Sequence, residues 1–277
     1  MKKIPFFKMN GSGNDFIIIN NRDSVVEKNI DIPLKEFVVR VCTRKLSVGA
    51  DGLILIERDE DYDFSWRFFN ADGSEVEMCG NGARCAARFA VLNNIAPLQM
   101  RFRTMAGVIE ARITGLRSVM VQLTKPKDFV DQLKLEGIPL DASFINTGVP
   151  HVVYFVDDVD SIDVKDLGAK TRYHKRFEPE GTNANFAEVL DKSHIKLRTY
   201  ERGVEDETLA CGTGATAAAL IGIKKGIVES PVNVVTRSGN ILKVYAKIEN
   251  GEIKNVYLEG DALLTYIGTM TDDAWNY

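Results

Sequence analysis

The chain has 277 residues, 35 basic and 39 acidic side chains, a formal charge of −4 and 45% hydrophobic residues. Mild acidity argues against non-specific nucleic-acid binding, which needs clustered Lys and Arg, and a near-average composition excludes disorder while allowing one large domain or two ordinary ones. Four cysteines, Cys42, Cys79, Cys85 and Cys211, are too sparse for a disulfide scaffold.

At the N-terminus, MKKIPFFKMNGSGND offers only a short apolar stretch that Lys8 interrupts, too little for a signal-peptide core. No run approaches the roughly 18–20 apolar residues that span a bilayer. The expectation is a soluble cytoplasmic protein without membrane or nucleic-acid partners, its cysteines reduced.

In chain order, β-branched and aromatic content predicts strands at Phe16–Ile19, Leu53–Ile56, Phe64–Phe69, Val119–Leu123, Val152–Val156 and Ile195–Tyr200. Helices are predicted over Leu34–Arg44, Ala83–Leu92, Val164–Tyr173 and Ala215–Lys224. Strands therefore outnumber helices in a mixed α/β chain.

The chain also repeats itself. Cys79-Gly-Asn-Gly-Ala-Arg-Cys-Ala-Ala aligns with Cys211-Gly-Thr-Gly-Ala-Thr-Ala-Ala-Ala at six of nine positions, an offset of 132 from residue 79 to residue 211. Without a gap, that offset carries Thr104–Gly107 onto Thr236–Gly239, and in pattern only it carries Asp51–Ile54 onto Asn183–Phe186. A register shared over such a length implies two duplicated domains, 1–125 carrying Cys79 and 126–277 carrying Cys211, with the last strand free to pack back on the first half.

Each copy sets a cysteine before Gly-x-Gly and an Ala-rich helical run. Glycines there allow positive φ and expose N–H groups at the positive end of a helix, which should depress the thiol pKa and can hold a carboxylate. A small buried residue is the ordinary fate of a free cysteine, and it fits Cys42 and Cys85. Metal binding has little support, because Cys79 and Cys85 are six apart with no Cys-x-x-Cys and no nearby His. Cys79 and Cys211 suit paired acid/base chemistry, one thiol from each half. Gly212-Thr-Gly-Ala-Thr-Ala also satisfies a dinucleotide-binding pattern, but the acidic Glu205–Glu207 stands where that pattern needs a strand.

Three long strings carry a resemblance. Phe7–Phe16 (FKMNGSGNDF), Asn70–Cys85 (NADGSEVEMCGNGARC), and Tyr200–Gly203 with Glu207–Ala215 (YERG, ETLACGTGA) are similar to the signatures of the diaminopimelate epimerase family. That resemblance, over essentially the whole chain, implies two pseudo-symmetric domains of α+β type. Each would be a curved mixed sheet or barrel around a central helix, with the active site in the cleft between them. It implies a cofactor-independent epimerase interconverting LL- and meso-diaminopimelate, a step towards lysine and peptidoglycan precursors.

By position in that resemblance, Cys79 and Cys211 would be catalytic, with His151, in Thr147–His151 (TGVPH), and Glu201 helping to set their pKa values. Asn14, Asn70, Asn183, Glu201 and Arg202 would contact substrate, as would the backbone at Gly80, Asn81, Gly212 and Thr213. The resemblance also implies a homodimer, with Tyr266 a candidate contact. Bland alternatives stand beside these roles: a backbone-satisfied His151, an Arg202 in a surface ion pair with Glu201 or Glu205, and turn asparagines. Val149 and Gly52 stand where some family members carry Asn and Gln, which affects how the distal end of the substrate is held.

Inverting a stereocentre by proton transfer needs a base on one face and an acid on the other, and two thiols meet that need as a coupled pair. Other readings are a related cofactor-independent racemase acting on proline or hydroxyproline, and a non-catalytic amino-acid-binding protein. No metal or cofactor is expected.

Overall fold

The apolar runs become strands whose pairing repeats. A computed structural model describes residues 1–277, which divide into two compact units, Met1–Val121 with Gly260–Tyr277, and Gln122–Glu259. The terminal segment from Gly260 thus groups with the N-terminal unit.

In the N-terminal unit the lateral strand order is Leu263–Thr271, Lys3–Gly11, Asn14–Asn20, Gly52–Glu57, Phe64–Asn70, Gln99–Thr104, Gly107–Ile113, Ser118–Gln122. Neighbours are antiparallel except Asn14–Asn20 with Gly52–Glu57 and Phe64–Asn70 with Gln99–Thr104, which are parallel. The order in the other unit is Lys127–Leu133, Ala142–Asn146, Pro150–Phe155, Asn183–Asp191, His194–Glu201, Val232–Val235, Ile241–Glu249, Glu252–Asp261. Its parallel pairs fall at the same two places.

Parallel neighbours need a crossover, and each unit uses its two crossovers to cover both sheet faces. Leu34–Cys42 in one unit and Val164–Arg172 in the other cover one face. Phe37, Val38 and Val41 pack there on Ile17, Ile19, Leu53 and Leu55, and Val164 packs on Val152, Tyr154, Ala184 and Phe186. Strands buried on both faces read as continuous apolar runs, as Phe16–Ile19 and Leu53–Ile56 do.

The second crossover in each unit is the helix that follows a repeated cysteine, Gly80–Leu92 or Gly212–Lys224. These two helices start and end 132 residues apart, in the register of the repeat. Gly80–Leu92 touches Lys3–Gly11, Asn14–Asn20 and Gly52–Glu57, and also Gly107–Ile113, several strands away in the lateral order. A sheet can meet one helix at both places only by curving round it. The helix is accordingly buried from Asn81 through Ala87, and its alanines keep it thin enough to be wrapped. Gly212–Lys224 is enclosed in the same manner, buried from Gly214 through Gly222.

Helix starts differ from expectation. Both central helices begin three residues earlier than predicted, at the glycines, because an N-terminal turn tolerates Gly when the capping residue supplies a hydrogen bond. Gly80, Gly82, Gly212 and Gly214 also lack the positive φ expected of them. Their role at Gly82 and Gly214 is room: a Cβ on Gly214 would lie 2.3 Å from Asn185 Oδ1, and one on Gly82 would lie 3.3 Å from Ile54 Cδ1.

Candidate active site

Each repeated cysteine is delivered by the same device. Phe64–Asn70 turns back through Gly73, in positive φ, into the short strand Glu75–Val76, after which Cys79 caps the helix. His194–Glu201 turns through Gly203, also in positive φ, into Asp206–Thr208 ahead of Cys211. Bidentate ion pairs clamp the two turns, Arg67 with Glu75 at 2.8 and 2.9 Å and Arg198 with Glu207 at 2.7 and 2.8 Å.

The thiols take the place of an N-cap side chain. Cys79 Sγ accepts from Gly82 N at 3.5 Å, and Cys211 Sγ accepts from Gly214 N at 3.4 Å, with Thr213 Oγ1 also 3.5 Å away. The other N–H groups of each first turn, at Gly80 and Asn81 and at Gly212 and Thr213, lie at the positive end of a buried helix, where an anion is favoured, and that of Thr213 also reaches the Cys211 thiol.

Around Cys79, the N-terminal unit builds a polar chain. Asn81 Nδ2 donates to Asn14 Oδ1 at 2.7 Å, and Asn14 Nδ2 donates to Asp51 Oδ2 at 3.3 Å. Asn81 Oδ1 accepts from Arg84 at 2.8 Å. Arg84 is fully buried and also donates to Ser12 Oγ at 2.7 Å and to the Asp261 carbonyl at 3.1 Å. Asn70 lies at its strand end, donating to Ser74 Oγ at 3.3 Å and exposed. Arg84, Ser12 and Asp261 were not singled out from sequence. Arg84 and Ser12 lie inside the quoted motifs, but Asp261 is 249 residues from Ser12 in sequence and carries no local signal.

Around Cys211, the second unit brings together His151, Asn183, Glu201 and Arg202. His151 and Asn183 are register partners on parallel strands, and Asn183 Oδ1 accepts from Arg202 N at 2.8 Å while its Nδ2 donates to Pro150 O at 2.9 Å. Thr147 Oγ1 donates to Thr213 O at 3.0 Å, tying the Thr147–Pro150 turn to the helix start. The Arg202 guanidinium donates to Glu180 O at 3.1 Å, and Glu205 is paired with Arg172 at 3.1 Å, so the surface ion pair with Glu205 does not form.

The electrostatics correct one expectation. The Cys211 thiol is not depressed but pushed up to about 12, first by burial and then by the negative charge of Glu201. Hydrogen bonds from Thr213 and Gly214 pull the other way without overcoming burial. Glu201 is raised by its own burial. His151, 0% exposed, is lowered from 6.5 to about 3 by burial and then by the field of Arg202, so it is neutral. Cys42 and Cys85 are buried packing residues, each also pushed up to about 12 by burial.

Gly52 is closely packed. A Cβ there would meet Phe69 O at 2.6 Å and Phe68 Cε2 at 2.7 Å.

The family model described as diaminopimelate epimerase matches residues 6–128 and 143–264, covering both cysteine helices. The chain belongs to the diaminopimelate epimerase family. It is 46% identical to the diaminopimelate epimerase of Aquifex aeolicus, over 99% of this chain and 100% of that one. It is 47% identical to that of a Hydrogenobaculum species, over 95% and 97% of the two chains. Among solved structures it resembles a Bacillus anthracis phenazine biosynthesis protein, with TM-score 0.73 and 15% identity over 98% of this chain and 100% of that one. A hydroxyproline epimerase from Agrobacterium vitis matches with TM-score 0.66 and 13% identity over 98% and 93%. At such identities the structures share the fold, and the family assignment rests on the sequence relatives. The mixed α/β architecture of repeated domains expected from sequence is the one these proteins share.

Proposed function

We propose that this family member interconverts LL- and meso-diaminopimelate by cofactor-independent proton transfer, with Cys79 and Cys211 as the two acid/base groups. One observation carries the reading: in a chain matched along its length by the family, each unit presents a thiol as the N-cap of a buried helix whose first N–H groups suit a carboxylate.

In each turnover a thiolate takes the α-hydrogen as a proton, forming S–H as Cα–H breaks. The bond pair moves into the α-carboxylate. The other thiol then delivers its proton to the opposite face, the pair returns to form the new C–H bond, and the thiol that gave its proton is left as thiolate. Cys211, its pKa raised by burial and by the charge of Glu201, rests as the thiol. Hydrogen bonds from Gly80, Asn81, Gly212 and Thr213 stabilise the charge that builds on the carboxylate. One preorganised donor of this kind is typically worth about 2.7–4 kcal/mol.

Glu201 and His151 act on the thiols, as a nearby charge and a neutral polar group. Arg202 offers a planar fork to a substrate carboxylate, and Asn14, Asn70 and Asn183 offer both donors and acceptors to its charged ends. The reading includes a homodimer in which Tyr266, exposed and edge-on to Phe6, is a contact residue. It also includes a cytoplasmic location, where the four cysteines, none in a disulfide, remain reduced. No helix is long and apolar enough to cross a membrane.

The test is incorporation of solvent deuterium at the α-carbon of LL-diaminopimelate under reducing conditions. Cys79→Ala and Cys211→Ala should each lower epimerisation by at least about 100-fold, while Cys42→Ala retains most activity. Near-normal turnover by Cys211→Ala would end the two-thiol mechanism. Exchange with proline or hydroxyproline but not diaminopimelate would reassign the substrate, and tight binding without exchange would identify a binding protein.

A further inference from the structure

Behind the Cys211 helix lies a buried polar cluster. Asn185, 0% exposed, sits two residues after Asn183 on the same strand. Its Nδ2 lies 2.9 Å from the Val152 carbonyl and 3.1 Å from His151 Nδ1, and its Oδ1 lies 3.0 Å from Thr199 Oγ1. A carbonyl only accepts, so the atom facing Val152 O must be the amide nitrogen. With one amide hydrogen on Val152 O, the second points at His151 Nδ1, and the Thr199 hydroxyl donates to Oδ1.

A ring nitrogen that accepts a hydrogen bond carries no proton. In a neutral imidazole the proton is then on the other nitrogen, because the hydrogen bond at one ring atom sets the state of its partner. His151 Nε2 is buried and has no hydrogen-bond partner within the protein.

We infer that Asn185 locks His151 in its neutral Nε2–H form, making the ring a fixed hydrogen-bond donor through Nε2 rather than a group that gains and loses protons. Asn185 is thus a positioning residue acting through His151. Protonation would place an Nδ1–H against the Asn185 N–H, so the amide opposes the imidazolium in the same direction as burial and the positive Arg202. Glycine at 214 lets the amide occupy this place, since a Cβ there would overlap Asn185 Oδ1 and would lie 3.3 Å from both Cys211 Sγ and Thr199 Oγ1. The amide that holds the ring therefore packs against the first turn of the Cys211 helix.

The catalytic use of the donor rests on the proposed function, whereas the tautomer does not, and the experiment separates them. Nitrogen NMR of histidine-labelled protein is simple because the chain has three histidines, and His174→Gln with His194→Gln removes the other two signals. The expected spectrum shows an unprotonated Nδ1 and a protonated Nε2, unchanged from about pH 5 to pH 8. An Nδ1–H tautomer, or a ring that titrates in that interval, overturns the proposal whether or not the protein turns over diaminopimelate.

Asn185→Asp replaces the donor by an acceptor. It should move the proton to Nδ1 and give the pH profile of kcat for α-proton exchange a new titration. An unaltered His151 tautomer in the folded variant would equally overturn the assignment. If the variant does not fold, the unsubstituted protein's spectrum decides alone.

Discussion

His151 is neutral in the fold from alkaline pH down to about 3, whereas in the unfolded chain its ring protonates near 6.5. Between those values the unfolded state binds more protons, so stability rises with pH. This contribution is fully present above 6.5 and is lost as pH falls towards about 3. Asp15 acts in the same sense at lower pH. Burial raises its carboxyl, but hydrogen bonds from Arg44 and Lys8 outweigh burial and bring it from 3.8 to about 2. The urea midpoint should therefore begin to fall as pH drops below 6.5, and His151→Gln should flatten the upper part of that fall. Parallel curves for the two proteins would show that another group is responsible. At this scale Cys79 and Cys211 were marked as candidates by the repeat, and His151 and Asn183 by the family resemblance. Asn185 and Thr199 were not, because nothing local distinguishes a polar strand residue under a helix from one in solvent.

Among elements, the central helices show how glycine spacing arises from approach rather than from turn conformation. Gly214→Ala would push a methyl group into Asn185 Oδ1, 2.3 Å away, whereas Gly82→Ala would meet the end of Ile54 at 3.3 Å, a flexible side chain able to give. Overpacking of the first kind should cost about 1–3 kcal/mol, measured by denaturant unfolding, and Gly82→Ala should cost clearly less. The reverse order would mean that something other than these contacts selects the glycines. The predicted strands from Phe16, Leu53, Phe64, Val119, Val152 and Ile195 are all present, those from Phe16, Leu53 and Val152 as apolar runs buried on both faces and the other three with alternating burial. Lys3–Gly11, Glu252–Asp261 and Leu263–Thr271 had no comparable signal. Their alternating or mixed burial leaves polar residues interspersed, and Lys3–Gly11 and Leu263–Thr271 pair with each other from opposite ends of the sequence.

For the whole molecule, the last residues are structural in the N-terminal unit. Trp275 is 1% exposed, sits in the cluster with Ile4, Phe37 and Met270, and meets Phe37 edge-on at 5.4 Å. Arg40 donates to its carbonyl at 2.8 Å. Trp275→Ala should cost about 3–5 kcal/mol in chemical unfolding, and a loss under about 1 kcal/mol would show that the tail is dispensable to that core. The sequence by itself determined the duplication, the two cysteines set before Gly-x-Gly and the family, because these are local strings repeated in one register. Only the tertiary structure decided which residues stand behind them. Whether a thiol is depressed by its helix or raised by burial, and whether a histidine titrates, depends on neighbours from distant strands and on exclusion of water, neither of which a local string encodes.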